Sequence, residues 1–424
     1  MPPIPADTVA DLPAVARRFV RYVQIDTQSD PDSASVPSTE KQLVLSRLLL
    51  SELRGLGVEA TVDEAGYVYA TLPSTLPPGH TVPVLGLVAH VDTSPDEPGG
   101  GVRPLLHRNY QGEVIALPGD PSVTLDPARQ SALRAHLGHD LITSDGTTLL
   151  GSDDKAGVAV LMQLAEDLAG STAPRPEVRL LFTVDEEIGR GVDHLDRARF
   201  GADVAYTIDG GPVGELSSET FNAAEATVTV EGVTVHPGYA KGVMANAVRV
   251  LAEFIAALPA NETPSMTEER QGYFYPYAVT QGETGRASVR ILLRDFEDDG
   301  LARRKTFLRS LAEELGERHP RAHISVEVRD SYRNMLRYIE ETDPRTVSFA
   351  DAAARAVGLT PRWHLVRGGT DGARLSEIGI PTPNVFTGGY DFHSRFEWNT
   401  VQNLNTTLSY VNALVEHWGQ HGGT

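Results

Sequence analysis

The 424-residue chain contains no cysteine. Disulfides and thiolate metal sites are therefore excluded, which suits a reducing compartment and gives the cytoplasm as the expected location. No apolar run approaches the ~18 residues that a membrane helix needs. The opening MPPIPADTVADLP shows no basic stretch followed by an apolar core, so the chain reads as unexported and without a membrane partner. Positive charge is scarce too: 37 basic residues stand against 57 acidic ones, a formal charge of -20. Such a surface repels phosphate backbones and anionic lipid, which argues against nucleic acid as a partner. A serine in a G-x-S-x-G elbow is also missing, so covalent serine or cysteine hydrolysis lacks its nucleophile. What the chain does have is 41% hydrophobic residues, enough for sizeable cores in two or three domains.

Patterning supplies the organisation. VPVLGLVAHVD, VRLLFTVDEE and VAYTID are β-branched apolar runs that finish in acidic or histidine residues, while AGVAVLMQLAEDLAG and residues 41–56 have helical periodicity. Alternating strands and helices predict an α/β layer with a mostly parallel central sheet, whose ligands bind beyond the carboxyl ends of the strands. Residues 219–331 differ. They read strand, helix, polar loop, strand, helix, strand, which becomes the β-α-β-β-α-β order of an α+β ferredoxin-like unit if a further strand lies near residues 275–281; the unit is inserted into a larger domain made of residues 1–218 and 332–424.

Five stretches carry the candidate chemistry: His90 with Asp92, Asp153 in GSDDKAG, Glu186 and Glu187 in TVDEE, Asp209 in YTIDGG, and His393 in GGYDFHSRFE. Each has an ordinary explanation by itself. Asp153 can cap a helix, the two glutamates can end a solvated strand, Asp209 can be a turn residue and His393 a surface-loop histidine. All five at the mouth of one sheet instead suggest two imidazoles and several carboxylates around a pair of divalent cations such as zinc. A His-x-Asp spacing on a strand puts both side chains on one side of the pleat, so Asp92 can orient His90 or its surroundings. Glu186 and Glu187, taken as strand residues, point opposite ways, one toward metal and one toward water.

The stretches HVDTSPD, LLGSDDKAG, FTVDEEIGRG, YTIDGG, VHPGYAKGVMANA, RGGTDGARLS and PNVFTGGYDFHSRFE resemble the dizinc aminoacylase and carboxypeptidase metallopeptidase family, in its tripeptide aminopeptidase branch. The resemblance covers nearly the whole chain. It implies a dizinc-exopeptidase-like catalytic domain with residues 219–331 as its lid, a homodimer through that lid, and a short peptide as substrate. It also implies Asp153 as the carboxylate between the metals, His90 and Asp209 on one, and Glu187 and His393 on the other. Asp92 would support His90, Glu186 would serve as general base and then acid, and His236 would stabilise the oxyanion. The aspartate at position 209, where acylase and carboxypeptidase relatives carry glutamate, favours an aminopeptidase. A related dipeptidase, carboxypeptidase or N-acyl amino acid hydrolase is the nearer alternative, and a metal-binding scaffold without chemistry the remoter one.

For substrate binding, Arg294 and Arg367 are candidates because a planar guanidinium pairs with a carboxylate through two hydrogen bonds. A salt bridge to Asp295 or Asp371 is the alternative reading for them. Asn246 and Asn334 match family stretches and either bind substrate or cap helices.

Overall fold

A computed structural model describes residues 4, 6–281 and 285–423. The chain divides into two compact units, one of Met1–Ser218, Arg337–His364 and Thr370–Thr424, the other of Glu219–Leu336 with Leu365–Gly369.

The first unit is built on a mixed sheet whose four central strands, Val178–Thr183, Leu85–His90, Val204–Gly210 and Asn384–Phe386, run parallel in that order. Antiparallel strands flank them on both sides. Leu85–His90 is buried along its whole length, which explains its continuous apolar run in place of an alternating one. The helix Ser152–Ala169 packs on Leu85–His90 and Val204–Gly210, with helices Ala14–Tyr22 and Val401–His421 against it. Its sequence alternates small and branched residues for this reason, and Gly157 sets the spacing. A Cβ there would lie 2.1 Å from the Ile208 carbonyl oxygen.

The second unit is an antiparallel sheet ordered Tyr273–Gln281, Arg286–Asp295, Asn222–Glu231, His323–Tyr332. Helices Ala247–Ala256 and Asp298–Arg318 pack on it over a core that includes Val228, Val289, Ile291, Leu293, Phe254 and Leu308. Chain order is β-α-β-β-α-β, the ferredoxin-like arrangement. Strand Arg286–Asp295 alternates between buried and more exposed positions, as expected where helices cover one face only. This unit runs on to Leu336 because Asn334 donates to the Glu219 carboxylate and the Phe296 carbonyl. It takes in Leu365–Gly369 because Phe221 donates its amide to the Val366 carbonyl. Neither pairing has a local sequence signal, so the expected boundary at 331 differs. Among the described residues, no helix is long and apolar enough to cross a membrane.

Gly157→Ala should lower unfolding stability by about 1–3 kcal/mol, the usual cost of overpacking a close contact. Chemical denaturation checks this, and an unchanged midpoint would mean that the helix and strand can separate freely.

Candidate metal centre

The parallel strands deliver their ends to one place. His90 is the last residue of Leu85–His90, Asp209 the penultimate residue of Val204–Gly210, and Asp153 lies in the first turn of Ser152–Ala169. His393 follows strand Asn384–Phe386 in a loop. The glutamates differ from the expectation of a strand end. The strand stops at Thr183, Asp185 takes a left-handed conformation (φ 60°), and Glu186–Ile188 forms a single 3-10 turn. Successive side chains on such a turn diverge by about 120°, so Glu186 and Glu187 still separate, by helical rotation instead of pleating.

His90 Nε2 lies 3.0 Å from Asp153 Oδ1 and 3.4 Å from Asp209 Oδ1. His393 Nε2 lies 2.8 Å from Glu187 Oε2 and 3.3 Å from Asp153 Oδ2. Asp153 thus presents one oxygen to each histidine. The ligand atoms of His90, Asp153 and Glu187 fall within 4.8 Å of one another, as do those of His90, Asp154 and Asp209. Asp154 is a weaker donor than its place in that second set suggests. Its oxygens accept the backbone amides of His90 (3.2 Å) and Gly157 (3.1 Å), so it holds the strand end instead.

Supporting carboxylates fix the donors. Asp92 does more for its surroundings than for His90: its two oxygens accept the amides of Glu186 (3.0 Å) and Glu187 (3.2 Å), locking the turn that carries both. The His90 Nδ1–H faces the Asp92 carbonyl at 3.1 Å, and donation there leaves Nε2 as the lone pair directed at Asp153 and Asp209. Two supports were not read from the sequence. Asp185 is buried and accepts from the Ser38 amide (2.7 Å) and from Gln42 Nε2 (2.6 Å), bracing the left-handed entry to the turn. Asp96 accepts from His393 Nδ1 at 3.2 Å, which turns Nε2 toward Glu187. The second acid of HVDTSPD was the available hint for Asp96; Asp185 had none beyond its place beside two glutamates.

The electrostatics of the cluster are dominated by buried acids. Burial, reinforced by acidic neighbours, pushes Glu187 up to about 8, Asp209 to about 6 and Asp371 to about 7, and lifts Glu186 well above the carboxylate range. Burial opposes a charge on the histidines as well, but their acid partners outweigh it: His90 rises well above its ordinary value and His393 to about 11. Asp153, facing both imidazoles, is held low despite its own burial. A cluster that must take up protons to stay buried is one that cations would stabilise. Glu187 Oε1 is moreover buried with no hydrogen-bond partner among the described residues. Imidazole and carboxylate donors with an orphaned oxygen fit divalent metal ions.

The remaining candidates belong to the second unit. His236 is exposed, and its ring accepts the Gly238 amide (3.1 Å). Arg294 donates to the carbonyls of Leu293 (3.1 Å) and Ala224 (3.5 Å) and lies over the Tyr332 ring, whereas Asp295 pairs with Arg304. Arg367 spends its donors on the Glu269 and Gln271 carbonyls and the Thr267 hydroxyl, with Phe221 and Tyr273 stacked nearby. Asn246 is exposed and caps helix Ala247–Ala256 through the Arg249 amide. Asn334 bonds the Leu336 amide, Glu219 and the Phe296 carbonyl.

Comparison with known proteins agrees with this geometry. Residues 218–323 match the peptidase dimerisation domain, and residues 143–258 the M42 glutamyl aminopeptidases. Peptidase T of Geobacillus sp. (strain WCH70) is 43% identical over 404 residues, covering 95% of this chain and 97% of its own. The aminopeptidase PepT of Bacillus cereus ATCC 10987 shares the fold with a TM-score of 0.72 at 24% identity, over 96% of this chain and 98% of its own. A dinuclear metal-binding peptidase of the M20 family from Bacillus subtilis superposes at 0.63 with 14% identity, over 96% and 99%. Fold, donor set and relatives together define a metallo-aminopeptidase. Within that class, the chain belongs to the peptidase T family.

Because the raised groups hold protons in the folded chain that the unfolded chain has released, metal-free stability from this site falls as pH rises, from about pH 4 for the carboxyls and about 6.5 for the imidazoles. Asp153 alone works the other way, and its effect ends near pH 4. The gap in unfolding temperature between zinc-loaded and metal-stripped protein should therefore widen from about pH 5 to about pH 8, as fewer protons compete with the cation. A gap that narrows would contradict it.

Proposed function

We propose that this chain releases the N-terminal residue from tripeptides using two divalent cations, zinc by preference, held by His90 and Asp209, by Glu187 and His393, and by Asp153 between them. The observation that carries the reading is the split of Asp153, one oxygen toward each imidazole. When bound, such a pair of cations polarises a peptide carbonyl and makes water a nucleophile at neutral pH. The chain's own residues do the rest. Glu186 takes a proton from the attacking water and later gives it to the leaving amine. Asp92 aims it by holding the turn through two amides. His236 supplies a donor to the developing oxyanion.

For the substrate's free ends, Arg294 is the first candidate. Among the described residues its hydrogen bonds run from one guanidinium nitrogen to two carbonyls, which leaves further N–H donors for a peptide carboxylate. Asn246 is the second. Arg367 and Asn334 are the further candidates, although both also hold neighbouring loops through part of their polar groups. We further propose a cytoplasmic enzyme that forms a homodimer through residues 219–331, with no nucleic-acid or membrane partner.

Tripeptides with a free N-terminus should be cleaved and their acetylated counterparts spared; cleavage of the acetylated set would point to an acylase or carboxypeptidase instead. Glu186→Gln should keep both metals and lose about 10²–10⁴-fold in kcat, read by steady-state kinetics beside metal analysis. Near-normal turnover would remove Glu186 from its role. A strong chelator should abolish cleavage and added zinc should restore it; activity indifferent to chelation would refute metal dependence.

A further inference from the structure

We infer that Glu397 is a positioning residue that fixes the two halves of the metal centre to each other. This rests on the dimetal reading above. Glu397 is buried, 1% exposed, and touches none of the donor side chains through its own carboxylate. Its Oε2 accepts the amides of Leu150 (2.8 Å) and Gly151 (2.7 Å), and its Oε1 accepts the amide of Asp153 (3.0 Å). Three amides converging on one carboxylate, just ahead of the kink at Asp153 and Asp154 where the helix proper begins, make a strong anchor.

What is anchored explains why it matters. Glu397 stands four residues after His393 in a loop closed at its base by Tyr390 and Trp398, which exchange backbone hydrogen bonds of 2.9 and 3.2 Å and stack their rings 4.3 Å apart. Inside the loop, Asp391 and His393 are both left-handed non-glycine residues, with φ 55° and 58°. Such a conformation is unfavourable for a residue with a side chain and persists only where its surroundings impose it. Asp391 is imposed by Trp398 Nε1 (3.1 Å) and Gln130 Nε2 (2.8 Å) on its carboxylate. The loop therefore arrives with a preset shape. Glu397 sets where that shape lies relative to Asp153, whose two oxygens must reach both metals at once. Without the tie, the His393 loop and the Asp153 turn would each keep their form but lose their mutual register.

The test is a zinc titration of the full-length protein against a competing chromophoric chelator. Glu397→Gln keeps the volume but places an amino group against a backbone N–H, and Glu397→Asp keeps the charge but is too short to span all three amides. Both should weaken zinc binding by roughly 10- to 100-fold, with kcat recovering at saturating zinc and KM for a tripeptide unchanged. Glu397→Asp serves if Glu397→Gln cannot be obtained folded. Thr400→Ala, which removes the cap of helix Val401–His421 in the same segment, should lower the unfolding temperature yet leave zinc affinity intact. Wild-type affinity in either Glu397 variant, or an equal loss in Thr400→Ala, would overturn the inference while leaving the dimetal reading standing. A wild-type protein that binds no zinc would overturn both.

Discussion

Negative charge gathered where water is scarce is the constraint on which the catalytic unit depends. Asp153, Glu187, Asp209, Glu186, Asp154 and Asp371 meet at the carboxyl ends of four parallel strands, each driven by burial or by its neighbours toward an unusual protonation state. Without cations the cluster stays buried only by keeping protons on most of its carboxyls, because two imidazoles balance no more than two of the six acids. Divalent cations would neutralise such a cluster, and its imidazole and carboxylate donors suit them.

The scaffold's contribution is to make that arrangement rigid before any cation arrives. Backbone amides do most of the holding. Asp154 takes the amide of His90, Asp92 takes those of Glu186 and Glu187, and Asp185 takes that of Ser38. Each link joins a carboxylate to an amide far along the chain, so strand ends that are remote in sequence become one frame. Close packing supports it from behind, where helix Ser152–Ala169 lies on the strands at the distance Gly157 permits.

Much of this was legible from the amino acids. The apolar runs ending in HVD, TVDEE and YTID announced strands with functional termini, because several such acidic ends meeting at one sheet edge outweigh the ordinary explanation each has alone. The ferredoxin-like order of the second unit was equally readable, since strand alternation and helical periodicity are local properties. Local signals failed where a long-range partner decides the outcome. Glu186 and Glu187 looked like strand residues because the apolar run continues to Val184, but the left-handed Asp185, braced by Ser38 and Gln42 more than 140 residues away, turns the chain into a 3-10 turn. Nor does the sequence around Arg367 indicate the carbonyls it meets, which lie about a hundred residues earlier. Nothing near Asp96 in sequence indicates that its partner is His393.

Anomalous diffraction at the zinc edge, from crystals of the purified protein, tests the paired centre most directly. Two peaks flanking Asp153, one beside His90 and Asp209 and the other beside Glu187 and His393, are the predicted result. A single peak, or peaks remote from Asp153, would contradict it.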